Sequence, residues 1–147
     1  MRRILLLICV VCLTGCFASS QGELSPETAY QRAEDAVQAK QYHEALDYYG
    51  KIVSQSPSSP LAADALYEMA VIHTLRDNSH RDFAQALRLF EDFVKKHPDH
   101  LKYREAQAWV YVLKYTLDLR RENEVLKKNI EQLKRLDIRH EERRKER

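Results

Sequence analysis

The sequence predicts an all-α fold: a solenoid of two helical hairpins capped by a long C-terminal helix. Three observations carry that prediction. Glycine is scarce, with three in 147 residues, too few for the turns of a sheet-rich chain this size. The four prolines, at 26, 57, 60 and 98, mark points where apolar-periodic stretches begin or stop. Finally, Ala45, Tyr49, Ile52 and Pro57 recur as Ala86, Phe90, Phe93 and Pro98, each 41 residues further on. A fixed period with matched small, aromatic and proline positions marks a repeated helical hairpin.

Met1-Arg2-Arg3 forms a basic head, residues 4–13 an apolar run, and small residues then lead to Cys16. The run is too short to span a bilayer and has the form of a secretory signal peptide. Leu13-Thr14-Gly15-Cys16 resembles the lipobox of bacterial lipoproteins. That resemblance implies cleavage before Cys16, lipid on its thiol and amine, and a chain anchored in the cell envelope, facing the periplasm. Residues 1–15 are then the signal peptide, and residues 16–25 the lipidated cysteine with a short polar tether. Phe17 is not the aspartate that retains lipoproteins at the inner membrane in some bacteria, so the outer membrane is the expected address.

Processing alters two readings. Arg2 and Arg3 leave with the leader, which brings the 24 basic residues into balance with the 22 acidic ones, so the basic excess is no nucleic-acid footprint. Cys9 and Cys12 leave too, and Cys16 carries lipid, so no thiol remains for a disulfide, a zinc site or a nucleophile.

The repeat unit is expected over residues 26–119. Ser25-Pro26-Glu27 supplies an N-cap, a proline at the first helical position and an acid near the positive end of the helix dipole. A first helix over 26–40 puts Ala29, Ala33, Ala36 and Val37 on one face. A second, over 42–55, carries Ala45, Leu46, Tyr49, Ile52 and Val53 at helical spacing, and Pro57 and Pro60 stop it. The pattern then repeats. Residues 60–75 carry Ala63, Leu66, Tyr67, Ala70 and Val71; residues 76–81 form a polar break; residues 82–96 carry Phe83, Ala86, Leu87, Phe90, Phe93 and Val94.

Tyr42-His43-Glu44-Ala45 and Asp82-Phe83-Ala84-Gln85-Ala86, each followed by an aromatic and then a proline, resemble tetratricopeptide repeats. The resemblance covers residues 26–98. Departures are the 41-residue spacing, which makes residues 76–81 an insertion, and alanines 29, 33 and 36 where that family has its early tryptophan and glycine-tyrosine positions. Longer repeats opening Ser-Pro and rich in alanine, on a lipoprotein, resemble the outer-membrane barrel-assembly lipoprotein family. Both resemblances imply a non-catalytic scaffold that grips protein partners of the envelope. In tetratricopeptide repeats the first helix of each hairpin lines the partner groove. The matching positions are Tyr30, Glu34, Val37 and Gln38 in the first hairpin, and Tyr67, Val71 and Thr74 in the second; for Val37, Tyr67 and Val71, packing between helices is an equal reading.

Each hairpin has one apolar face and needs a neighbour to cover it. Leu101, Tyr103, Ala106, Ala108, Trp109, Val112, Leu113 and Leu117 offer a broad apolar face for that purpose, with Trp109 expected in the core. From residue 101 onward there is no proline or glycine, so one long helix is expected. Residues 120–147 form its charged, coiled-coil-like tail. Leu119, Leu126 and Leu133 are spaced by seven, and Asn123 and Ile130 fill the alternate seam position. Glu122 and Lys127 stand where a parallel neighbour would complete an ion pair, which makes this segment a candidate for self-association. A solvated single helix, held by Glu124 with Lys128 and Glu131 with Arg135, is the competing reading. The seam fails at Asp137 and His140. Residues 123–137 also resemble, loosely, the tail of short lipoproteins that accompany envelope two-component sensor kinases, which supplies an alternative role.

No catalytic motif is evident. The carboxylate pairs Glu34-Asp35 and Glu91-Asp92 are adjacent on their helices, so they diverge rather than converge on a substrate. His97 and His100 lie near Asp99, but no third nitrogen ligand is close in sequence, and no metal or cofactor is expected. His73 falls on an apolar face and is expected to be packed; His43 and His80 fall at turns, in solvent. Acids interleave the bases of the tail, so no nucleic-acid partner is expected.

Overall fold

The computed structural model describes residues 24–147; the leader, Cys16 and most of the tether lie outside them. Five helices follow in order: α1 (Pro26–Gln38), α2 (Tyr42–Gln55), α3 (Leu61–Ile72), α4 (Phe83–Lys96) and α5 (Tyr103–Lys145). Every regular element among the described residues is helical, as the glycine and proline pattern requires. Each helix packs on the next in sequence, and α1 also touches α3. Two hairpins thus stack side by side, with α5 closing the second.

The 41-residue step is visible in the core. Ala45 and Ala86 are fully buried, and so are the pairs Tyr49 with Phe90 and Ile52 with Phe93. Alanine at these positions lets two backbones approach closely, and the aromatic one turn later fills the space between hairpins. Each such aromatic contributes on the order of 1.5–3 kcal/mol through burial. The core falls into two clusters. Ala29, Ala33, Ala36, Ala45, Tyr49, Ile52, Ala62, Ala65 and Ile72 form the first. Ala63, Leu66, Tyr67, Ala70, Ala86, Phe90, Phe93, Ala106 and Leu113 form the second. Helix α3 contributes to both, so it is apolar nearly all round.

Two helices stop short of their expected ends, in each case because other groups take the last carbonyls. At the end of α1, Lys40 adopts φ 59°, its amide bonds the Val37 carbonyl at 2.9 Å, and the Gln41 amide bonds the Ala36 carbonyl at 2.8 Å. That is a Schellman cap with lysine at a position that favours glycine. The lysine side chain reaches Asp77 in the second hairpin, with Nζ 2.8 Å from Oδ2. At the end of α3, the Thr74 hydroxyl donates to the Val71 carbonyl at 2.7 Å and the Asn78 side-chain amide donates to the Ile72 carbonyl at 3.0 Å.

The polar break after α3 is therefore an ordered plug. Asn78 is the one buried polar residue among those described; its Oδ1 accepts from the His80 amide at 2.9 Å. The Asp82 amide returns to the His73 carbonyl at 3.1 Å. Asp82 then caps α4, accepting from the amides of Ala84 and Gln85 at 2.9 and 3.0 Å, and these bonds hold its carboxyl below the usual carboxylate range.

Helix α5 packs through a narrower face than the sequence suggested. Ala106 and Leu113 are buried, while Trp109 and Val110 pack half-buried against the second core. Trp109 stacks flat on Phe90, centroids 5.8 Å apart. Leu101, Ala108 and Val112 instead face solvent. Leu101 precedes the helix, and at about 100° per residue Ala108 and Val112 lie well round the axis from the buried Leu113. The last tie to the hairpins is Arg120, whose guanidinium lies 4.3 Å from the Phe83 ring centroid. Beyond it α5 runs on alone, and its 43 residues span about 65 Å.

Removing the Asn78 amide leaves the Ile72 carbonyl with only the longer bond from the Leu75 amide, at 3.3 Å, and takes away the acceptor of the His80 amide. Asn78→Ala is expected to lower unfolding free energy by about 1–3 kcal/mol. The neighbouring exposed Ser79→Ala should stay within about 0.5 kcal/mol. Urea denaturation of both variants checks this, and equal effects would remove the plug from the account.

Candidate partner-binding site

On α1, the Tyr30 ring packs edge-on against Tyr49, centroids 5.2 Å apart, which leaves its hydroxyl at the open side of the first core. Burial and then the negative charges of Glu68, Asp64 and Glu34 hold that hydroxyl well above its ordinary titration range. Tyr30 thus stands within the field of three carboxylates, one on its own helix and two on α3. Glu34, one turn on, and Gln38 are exposed; Val37 is half-buried against the first core.

Helix α3 answers from the other side. Asp64 and Glu68, one turn apart, are its only charged residues and occupy the strip that neither core covers. Lys102, immediately before α5, closes over them: its Nζ lies 2.7 Å from Glu68 Oε1 and 3.5 Å from Asp64 Oδ1. Burial works to lower the lysine pKa, but the hydrogen bond to Glu68 and the charges of both acids prevail and raise it. The Lys102 amide donates to His100 Nδ1 at 3.2 Å, so the imidazole proton sits on Nε2, 3.6 Å from Asp64 Oδ1. The first helices of successive hairpins therefore share one face, acidic and tyrosine-bearing, tied to α5 by a single lysine.

The seven positions anticipated for this face divide. Tyr30, Glu34 and Gln38 reach it or its rim. Tyr67 does not line it: at 4% exposure it sits between Phe90 and Phe93, centroids 5.4 and 5.5 Å away, under the Lys102 ammonium. Val71 packs half-buried against the second core, and the Thr74 hydroxyl is spent on the Val71 carbonyl. Asp64, Glu68 and Lys102 supply what Tyr67 and Val71 do not. The acids carried a signal, as the two charges on a helix otherwise apolar all round. Lys102 carried none, since its partner Glu68 is 34 residues away.

The model of the outer membrane lipoprotein family, YfiO, matches residues 22–144. The chain belongs to that family. No curated protein and no solved structure matches it. Membership of the outer membrane lipoprotein family agrees with the helical-hairpin fold and the envelope address, and no helix among the described residues is long and apolar enough to cross a membrane. The lipid site expected at Cys16 lies outside the described residues.

The seam residues Leu119, Asn123, Leu126, Ile130 and Leu133 all lie exposed on one side of α5. The Asn123 side-chain amide donates to the Leu119 carbonyl at 2.9 Å. Of the two expected tail ion pairs, Arg135 with Glu131 forms at 3.3 Å; Glu124 pairs with Lys127 rather than Lys128. His97 and His100 pack around the Phe93 ring, and no group of three metal-ligating side chains comes together among the described residues. A second hollow, of about 420 Å³, lies between the α1–α2 turn and the plug, lined by Tyr42, Leu46, His73 and Asn78 among others. His73 is part-buried there, and its Nδ1 has no hydrogen-bond partner among the described residues. Burial pushes its pKa down, with Asp82 opposing and Arg88 reinforcing.

Two pH limbs follow. Tyr30, Tyr49, Tyr67 and Lys102 all hold their protons more tightly when folded than at their ordinary values of 10.0 and 10.5. Their contribution is complete below those values and is lost as pH rises towards the folded ones. Stability should therefore fall steeply above about pH 10, and Tyr30→Phe should flatten that limb; a thermal-melt series with tyrosinate absorbance reads both. His73 binds its proton less tightly when folded, so its contribution is present above 6.5 and is lost as pH falls towards the folded value. His73→Phe should flatten the acid limb, leaving the share of His97, whose pKa burial also lowers.

Proposed function

We propose that the chain is a non-catalytic, lipid-anchored scaffold of the bacterial envelope, which holds a protein partner on the face built by Tyr30, Glu34, Asp64 and Glu68. Cys16 carries the acyl anchor in the outer membrane after residues 1–15 are removed. Residues 16–25 tether the repeat unit 26–119, and 120–147 extend from it. The observation that carries the reading is the contrast on α3. A helix otherwise surrendered to two cores keeps a carboxylate at each turn of its one open strip. Those acids stand near the half-buried hydroxyl of Tyr30.

Such a face suits binding rather than proton transfer. Lys102 occupies Asp64 and Glu68, and the tyrosine hydroxyls hold their protons far above neutral pH. A partner segment bearing lysine or arginine finds an acceptor at Glu34, which pairs with no cation among the described residues, with the neighbouring Tyr30 ring offering apolar contact. Membership of the outer membrane lipoprotein family supports placing that partner in envelope assembly.

The test is a crosslinking pull-down from membranes, comparing the intact chain, Glu34→Lys, Tyr30→Phe with Glu34→Lys, Cys16→Ala, and a chain ending at Leu119. Neither Glu34→Lys nor Tyr30→Phe opens the core. We expect the charge reversal to reduce capture of the main envelope partner by about tenfold or more, consistent with loss of one interface hot spot. Removal of the tail should leave it intact, and Cys16→Ala should release the protein from the membrane fraction. Loss of the partner with the tail alone, and retention in the Glu34 variants, would move the function to α5.

A further inference from the structure

Past Arg120, α5 carries an apolar stripe that nothing among the described residues covers. Leu119, Leu126, Ile130 and Leu133 are 40%, 58%, 52% and 62% exposed. Upstream the stripe continues through Val112 and Tyr115, also exposed. It is not the face that packs on α4: Leu113 points into the core, and each successive residue turns by about 100° around the axis, which swings Val112 and the seam to the side. One helix thus presents two apolar faces, one used and one open.

We infer that the open face pairs with the same face of a second copy of this chain, in parallel and in register. The flanking charges select both partner and direction. With Leu119, Leu126 and Leu133 in one seam position and Asn123 and Ile130 in the other, the residues beside the seam are Arg120, Lys127 and Lys134 on one edge and Tyr115, Glu122 and Asn129 on the other. Parallel pairing sets each edge against the opposite edge of the second copy. Glu122 then meets Lys127 of the second copy, and Tyr115 meets Arg120 of the second copy. Antiparallel pairing would set like edges together, bringing Arg120, Lys127 and Lys134 against their own kind, which like-charge repulsion disfavours. Asn123 reinforces the register. Its side-chain amide is bonded to the Leu119 carbonyl, and its position in the seam means that only alignment with another asparagine avoids burying a polar group against leucine. The pairing ends where Asp137 and His140 replace apolar seam residues.

Disulfide trapping in membranes from cells making the full chain tests this. Leu119→Cys, Leu133→Cys and the outward-facing Lys128→Cys are compared under mild oxidation, with the parent chain reporting any crosslink through Cys9, Cys12 or Cys16. All three substitutions are on exposed positions, so folding is preserved. In-register parallel pairing brings each seam cysteine to its own copy within disulfide distance and keeps residue 128 apart. Leu119→Cys and Leu133→Cys should each trap a homodimer, at least about tenfold more than Lys128→Cys. Glu122→Lys should lower the trapped fraction of Leu119→Cys by about twofold to fivefold, and adding Lys127→Glu should restore it. A dimer only when Leu119→Cys and Leu133→Cys are mixed would make the pairing antiparallel and overturn the inference. So would equal trapping at residue 128, or no dimer at any position.

Discussion

Everything in this chain follows from the demand placed on α3, which must bury apolar surface on two sides at once. On one side Ala62, Ala65 and Ile72 close the first core; on the other Ala63, Leu66, Tyr67 and Ala70 close the second. Small residues dominate because both neighbouring hairpins must approach within the helix–helix packing distance of about 8–10 Å. Once both flanks are spent, a single strip remains for polar groups, and Asp64 and Glu68 occupy it. The same crowding accounts for the plug. A helix buried this deeply cannot leave its last carbonyls to water, so Thr74 and the buried Asn78 supply donors. The acidic face and the ordered insertion are two consequences of one packing constraint.

The helices and their stacking were legible because the information is local and repeated. Ala45-Tyr49-Ile52 and Ala86-Phe90-Phe93 state the same packing instruction twice, and both sets are buried. Boundaries were less legible where a distant group sets them. Helix α1 stops two residues early because Lys40 takes a left-handed conformation, with its side chain fastened to Asp77, and nothing near residue 40 announces that partner. Tyr67 stayed open between groove and core for a related reason. On a helix apolar all round, periodicity does not say which flank faces which neighbour, and the ring belongs to the second core rather than to the open face. Leu101 failed differently: apolarity alone placed it on the α5 contact, but it precedes the helix and stands fully exposed.

The polar face and the open stripe on α5 obey different energetics. Around Tyr30 the cost of desolvating carboxylates is already partly met, because Lys102 and the protein interior surround them, so a cationic partner gains directional contacts in a half-screened site. The stripe has no such preparation. Its four leucine and isoleucine residues are each about half exposed already, so burying them contributes on the order of 1 kcal/mol apiece. Two copies together set on the order of 8 kcal/mol against an association cost of about 4–15 kcal/mol.

That near-balance links the proposed anchor to the proposed pairing. Copies free in solution would pair weakly, since two to three heptads fall short of a self-sufficient coiled coil. Under the proposed lipid anchoring at Cys16, copies confined to one membrane surface would share a restricted layer, and restricting the search would raise their effective concentration without adding any contact. Parallel pairing is also the arrangement that points both N-termini towards one membrane. On that proposal the tail is marginal by composition: long enough to register two anchored copies side by side, and too short to hold free copies together.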